Sequence, residues 1–161
     1  KDPDFLRQFS EIADKYHIPD GILELELTES IFFDDQGIEF VEKCIHRMHR
    51  LGFKCSLDDF GSGYSSLGLL REFDVDTIKL DRRFFLDISQ PKAEDVLICL
   101  TELGRRLGVQ IVAEGIETQE QIAFLKRVRC DMVQGYFYSR PLPAEEFWEW
   151  LEKRREGEGN Q

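Results

Sequence analysis

Acidic residues stand at the ends of short apolar runs along this sequence, and their placement sets the chemistry open to it. The run 23–27 leads into Glu26-Leu27-Thr28-Glu29, and the run 54–58 ends in the adjacent pair Asp58-Asp59. A third run, 77–80, carries Lys79 next to Asp81, the run 109–113 meets Glu114, and Met132-Val133 is followed by Gln134-Gly135. Several carboxylates at one edge, with few basic groups nearby, could not all stay ionised without compensation. Oxygen-rich sets of this kind suit hard cations such as Mg²⁺ or Mn²⁺. With Asp58 and Asp59 available to bridge or flank two ions, two-metal hydrolysis of a phosphodiester is a natural chemistry, and Lys79 could orient or deprotonate the attacking water. The glycine-hinged loop 59–66 could close over a substrate or couple a partner to the ions.

Residues so far apart in sequence converge only if the chain between them is regular. Apolar spacing predicts helices on the stripes Phe5, Phe9, Ile12, Tyr16; Ile38, Val41, Ile45, Met48; Val96, Leu100, Leu103, Leu107; and Ile122, Leu125, Val128. Pro3 suits a helix start. Thr118-Gln119-Glu120-Gln121 reads as a capping box. A last helix should run from Pro143 through Phe147 and Leu151, with 156–161 a disordered tail. Between the helices lie the strand-like runs, so the chain alternates α and β, which implies right-handed crossovers and a parallel sheet. The expectation is an α/β fold, a partial TIM-type (β/α) barrel, in which strand C-terminal ends form the active face.

Strand alternation sharpens this. In 23–27 the leucines share one face and Glu24 and Glu26 the other, taken as the barrel interior. The same parity turns Lys54, Ser56, Asp58, Lys79 and Glu114 inward. A buried Glu24 needs a partner, and Lys54 is the candidate.

The bulk properties exclude several function classes. A net charge of -11 argues against duplex nucleic acid as a partner. No apolar run approaches a membrane span and no signal-peptide pattern opens the chain, so a cytoplasmic setting is expected, with any membrane anchor in segments outside this sequence. Cys44, Cys55, Cys99 and Cys130 are scattered, and three of these four sit in apolar periodic segments, which reads as buried free thiols. His46 and His49 lie near Cys44 on one predicted helix face, but no further ligands sit at zinc-finger spacing. Strand-end acids can also cap helices or form surface pairs, a reading that suits Glu29 and Glu117 at least as well as chemistry.

Taken together and in order, Glu26-Leu27-Thr28-Glu29, the stretch from Asp58-Asp59-Phe60-Gly61 to Leu67, Lys79-Leu80-Asp81, Ala113-Glu114-Gly115-Ile116-Glu117 and Gln134-Gly135-Tyr136-Phe137 through Pro141 resemble the successive signatures of EAL-domain cyclic di-GMP phosphodiesterases. The resemblance implies Glu26, Asp58, Asp59 and Glu114 as metal ligands for two Mg²⁺ or Mn²⁺ ions. It implies Lys79, Glu114 and Asp59 as catalytic, and Glu29, Gln134, Glu117 and Asp81 as support for substrate and loop, with Glu29 anchoring loop 59–66. The implied reaction is hydrolysis of cyclic di-GMP to pGpG in second-messenger signalling. The family's Glu-Ala-Leu segment and its metal-binding asparagine are not in this sequence, so 1–155 is expected to be the C-terminal portion of the domain, about the last five of eight strands. The isolated stretch is expected to be inactive and to form a homodimer or pair with another chain, because an open barrel exposes strand edges. The parent is expected to carry an upstream sensory or GGDEF-type domain. Two other readings stay open: a degenerate EAL domain that binds nucleotide or protein without catalysis, and an unrelated barrel enzyme using Mg²⁺ to stabilise an enolate.

Overall fold

The structure, a computed structural model, describes residues 5–28, 35–61, 67–86, 88 and 90–158. The elements follow in the order α1 (Phe5–Tyr16), β1 (Glu24–Thr28), α2 (Asp35–Arg50), β2 (Lys54–Phe60), α3 (Leu67–Glu72) and β3 (Thr77–Leu80). A 3-10 turn (Arg82–Phe85) comes next, then α4 (Pro91–Leu107), β4 (Gln110–Ala113), α5 (Gln119–Arg127), β5 (Met132–Val133) and α6 (Ala144–Glu158). Helix α6 continues through Glu158, past the point where the sequence placed a tail, and 159–161 lie outside the described residues.

All strand pairs are parallel, and spatial order equals chain order, β1-β2-β3-β4-β5. Parallel strands joined through a helix cross over right-handed as a rule, and stepping to the next neighbour each time with one hand leaves the helices on one side and curls a sheet as a barrel segment. The expected α/β architecture, a partial barrel of five strands, is what the chain adopts.

Strand parity decides which face is packed. Cys55, Leu57, Ile78, Leu80, Ile111 and Ala113 are buried, and Val41, Ile45 and Met48 of α2 are no more than 2% exposed against the same core. Each of the Val, Leu, Ile and Met side chains among these is worth ~1.5–3 kcal/mol on burial. Two stripes differ from expectation. Helix α4 buries Leu97, Thr101 and Gly104, while Val96 and Leu107 are 47% exposed. The packed face follows Gly104, whose missing Cβ would lie 2.7 Å from Ile111 Cγ1, so closest approach outweighs apolar periodicity. In α1, Leu6 is buried, but Phe9, Ile12 and Tyr16 are exposed, because no described residue covers that side.

At the N-terminal ends of the strands, two aspartates recur in one role. Asp76, just before β3, accepts from the Cys55 backbone N–H (2.7 Å) and from His49 Nε2 (2.9 Å). Asp131, just before β5, accepts from the Ile111 N–H (2.8 Å). Each satisfies an entering backbone donor that would otherwise be orphaned. The predicted capping box is present: Thr118 accepts from Gln121 N–H, and the Gln121 side chain accepts from Thr118 N–H.

None of the four cysteines forms a disulfide, but only Cys55 is fully buried; Cys99 is exposed, because it lies off the packed face of α4. Burial, with the charges of Asp76 and Glu24 beside it, pushes the Cys55 thiol up to about 12, and burial pushes Cys130 to about 11. Iodoacetamide at pH 8 is therefore expected to label Cys99 in the native protein and to reach Cys55 only on unfolding. Peptide mass spectrometry reads this, and early labelling of Cys55 would contradict the packing of β2.

Candidate metal centre at the strand ends

The inward face of the sheet is polar in layers. In the lower one, Thr77 donates its hydroxyl proton to Glu24 Oε2 at 2.7 Å. This corrects the expected Glu24–Lys54 pair. The two residues are in register, but the curved sheet brings Thr77 of β3 across the interior to Glu24, and Lys54 stays partly exposed. Ser56 Oγ, buried beside this layer, is without a hydrogen-bond partner among the described residues.

Above it lies Lys79, only 7% exposed. Its Nζ donates to Glu26 Oε1 (2.6 Å) and lies 2.9 Å from Glu114 Oε1 and 3.1 Å from Asp58 Oδ1. Burial pulls its pKa down, but the hydrogen bonds to Glu114, Glu26 and Asp58 outweigh that and hold it well above the ordinary lysine value. Lys79 is thus an ammonium, the internal counter-ion of a cluster drawn from four successive strand ends.

Asp59 enters by a different route. On a regular strand it would point away from Asp58, toward the helices. Instead the β2–β3 register slips between Leu57 and Phe60, and Asp59 takes a left-handed φ of 57°. A bulge with one residue in that region re-aims its side chain. As a result, carboxylate oxygens of Asp58, Asp59 and Glu114 lie within 4.8 Å of one another. Three hard oxygen donors at that spacing, half-buried or open to solvent, fit Mg²⁺ or Mn²⁺. His46, His49 and Cys44 make no such group: His46 Nδ1 meets Glu42 O and His49 meets Asp76.

The remaining predicted residues take different places. Glu26 touches the cluster through Lys79 and is not one of the three mutually close acids, and half its side chain is exposed. Asp81 caps the 3-10 turn, where its Oδ1 accepts from Arg83 N (2.9 Å) and Nε (2.7 Å). Partial burial raises the Asp81 carboxyl, but these Arg83 bonds win and hold it below its usual value. Glu117 is exposed, and its backbone N–H donates to Gln121 Oε1 at 2.8 Å. Gln134 is exposed too, tied through its backbone to Ala113 O and Ile116 N–H. Glu29 and residues 62–66 of the loop lie outside the described residues.

Glu117 and Gln134 nonetheless line a cavity of about 850 Å³ shared with Arg82, Arg140 and Trp150. Tyr136 could be read from the sequence as a ring for a base, but the cations Arg82, Arg140 and Arg154 and the ring of Trp150 were missed. Arg140 stacks on Tyr136 at 4.6 Å, and Arg154 lies over Tyr138 (4.8 Å) and Trp150 (4.7 Å). The i, i+4 spacing of Trp150 and Arg154 was the available signal.

The chain is similar to several known proteins in sequence and fold. The profile of the EAL domain matches residues 1–141. A cyclic di-GMP phosphodiesterase, NbdA of Pseudomonas aeruginosa, is 41% identical over 83% of this chain, which spans 17% of that protein. The crystal structure of the EAL domain of Mycobacterium smegmatis DcpA superposes with a TM-score of 0.86 at 34% identity, over 94% of this chain and 67% of that one. The manganese and cyclic di-GMP complex of Klebsiella pneumoniae BlrP1 (pH 9.0) superposes at 0.78 with 29% identity, over 87% of this chain and 36% of that one.

Proposed function

This chain belongs to the EAL domain family, and on that premise we propose that the polypeptide carrying it hydrolyses cyclic di-GMP to pGpG with the help of Mg²⁺ or Mn²⁺ ions. The observation that carries the reading is the convergence of Asp58, Asp59 and Glu114 within 4.8 Å, beside a buried lysine. Divalent ions held by such a set supply Lewis acidity to a phosphoryl oxygen and a nucleophile at neutral pH.

The chain's own residues have separable tasks. Asp58, Asp59 and Glu114 hold the ions, and Glu26 extends the acidic edge toward β1. Lys79, paired with three of these acids, keeps them in register and serves the attacking water. Gln134 and Glu117, at the rim of the 850 Å³ cavity, contact the nucleotide, while Arg82 and Arg140 offset its phosphate charge and Tyr136 offers a face for a base. Asp81 acts by fixing the turn behind Lys79, and Glu29 by anchoring loop 59–66. As the chain spans about a sixth of NbdA, activity is assigned to the whole polypeptide.

Purified full-length protein with Mn²⁺ and cyclic di-GMP is expected to yield pGpG on anion-exchange chromatography, and EDTA should stop it. Tight nucleotide binding with no product would replace this reading by that of a binding module.

A further inference from the structure

The metal cluster depends on the kink at Asp59, and a ring outside the cluster holds that kink. Aspartate tolerates the left-handed region better than most residues, but on a paired strand it competes with extended geometry, so the contacts on either side decide whether the kink is held. On one side of the kink and bulge, Asp58 is fixed by Lys79. On the other, Phe60 is 4% exposed and paired with Leu80, and its carbonyl accepts from Asp81 N–H. Gly61 follows with φ 85°, pressed against Phe84 so closely that a Cβ there would fall into the ring edge at Cε2 and Cζ.

Phe84 can act as a stop because its own turn is held. Asp81 caps that turn, Phe84 N–H donates to Asp81 O (3.1 Å), and Gln121 Nε2 donates to Phe85 O (3.0 Å), tying it to α5. Phe85 beside it is 1% exposed. On its other flank Arg82 fills the space over Gly115, where a Cβ would lie 2.6 Å from Arg82 Cβ. One braced turn therefore abuts the residues that follow both Asp59 and Glu114.

We propose that Phe84 is a positioning residue for metal binding, holding Asp59 in its left-handed kink through contact with Gly61. The proposal rests on the reading of Asp58, Asp59 and Glu114 as ligands and names one group that sets their geometry. Without the ring, the backbone at Gly61 relaxes, Asp59 returns to extended geometry, and its carboxylate swings away from Asp58 and Glu114.

The test is a double-mutant cycle in the full-length protein, with Mn²⁺ affinity read from the electron paramagnetic resonance of the free ion. Phe84→Ala is expected to weaken Mn²⁺ binding about tenfold, as loss of an orienting group behind a ligand does. Phe84→Leu, which keeps most of the bulk, should restore near-normal affinity. In an Asp59→Asn background, Phe84→Ala should cost nothing further, since the carboxylate it positions is gone. Additive losses, or a lower melting temperature with unchanged Mn²⁺ affinity in the folded Phe84→Ala protein, would overturn the proposal. Because the readout is Mn²⁺ alone, the cycle decides the role of Phe84 whether or not cyclic di-GMP proves to be the substrate.

Discussion

Asp59→Asn in the full-length protein is expected to lower metal-dependent hydrolysis at least a thousandfold while leaving the melting temperature nearly unchanged. The two halves of this result have separate causes. Asparagine is isosteric and tolerates φ 57° as well as aspartate does, so the bulge and the β2–β3 register survive. The side chain is exposed, so no buried group is orphaned, and surface changes of that kind stay within about 0.5 kcal/mol. What disappears is one charged donor of the three that approach within 4.8 Å. A thousandfold loss corresponds to about 4 kcal/mol of transition-state stabilisation. Asp59→Ala would blur the outcome by adding backbone strain. Steady-state hydrolysis of cyclic di-GMP with a parallel thermal melt measures both quantities, and retention of a tenth of wild-type activity would remove Asp59 from the ligand set.

Lys79→Met should behave in the opposite way, as a folding defect that metal repairs. Lysine and methionine have similar length, so the hole is filled, but Glu26, Asp58 and Glu114 lose their shared counter-ion. Breaking a buried ion pair by removing one partner costs about 3–5 kcal/mol. The low end applies here, because half of the Glu26 side chain remains in water. A divalent ion that binds only the folded state returns about 2.7 kcal/mol at a hundred times its dissociation constant. Metal-free Lys79→Met should therefore melt well below wild type and recover most of the gap in Mn²⁺, more than wild type gains. An equal Mn²⁺ increment in the two proteins would show that Lys79 is not the cluster's counter-ion.

Most of the cluster is legible from parity because strand alternation is a backbone property. Glu26, Asp58, Lys79 and Glu114 all turn inward as period-2 spacing requires. Asp59 is not legible that way, since its direction depends on a bulge that exists only when β2 pairs with β3. The packed face of α4 escapes apolar periodicity for a related reason: Gly104 owes its burial to close approach by Ile111. Acids before strands and acids after them also look alike in sequence. Asp76 and Asp131 precede β3 and β5 and satisfy backbone donors, whereas Asp58 and Glu114 are presented at the C-terminal edge of the sheet. Position relative to the strand separates the two roles, once the strand bounds are known.

The equality of spatial and chain order in the sheet also bears on how the molecule acquires its chemistry. Every strand pairs with its predecessor, so assembly can proceed by adding one strand and helix at a time, each closing a short loop. No such step, however, delivers a chelating site. Asp58 and Asp59 arrive with β2, Lys79 with β3 and Glu114 with β4, and the bulge that aims Asp59 waits on the β2–β3 pairing. On the proposed assignment of Asp58, Asp59 and Glu114 as ligands, a chain emerging stepwise from synthesis would hold no ion until β4 is in place, and metal capture would report that the sheet is built that far.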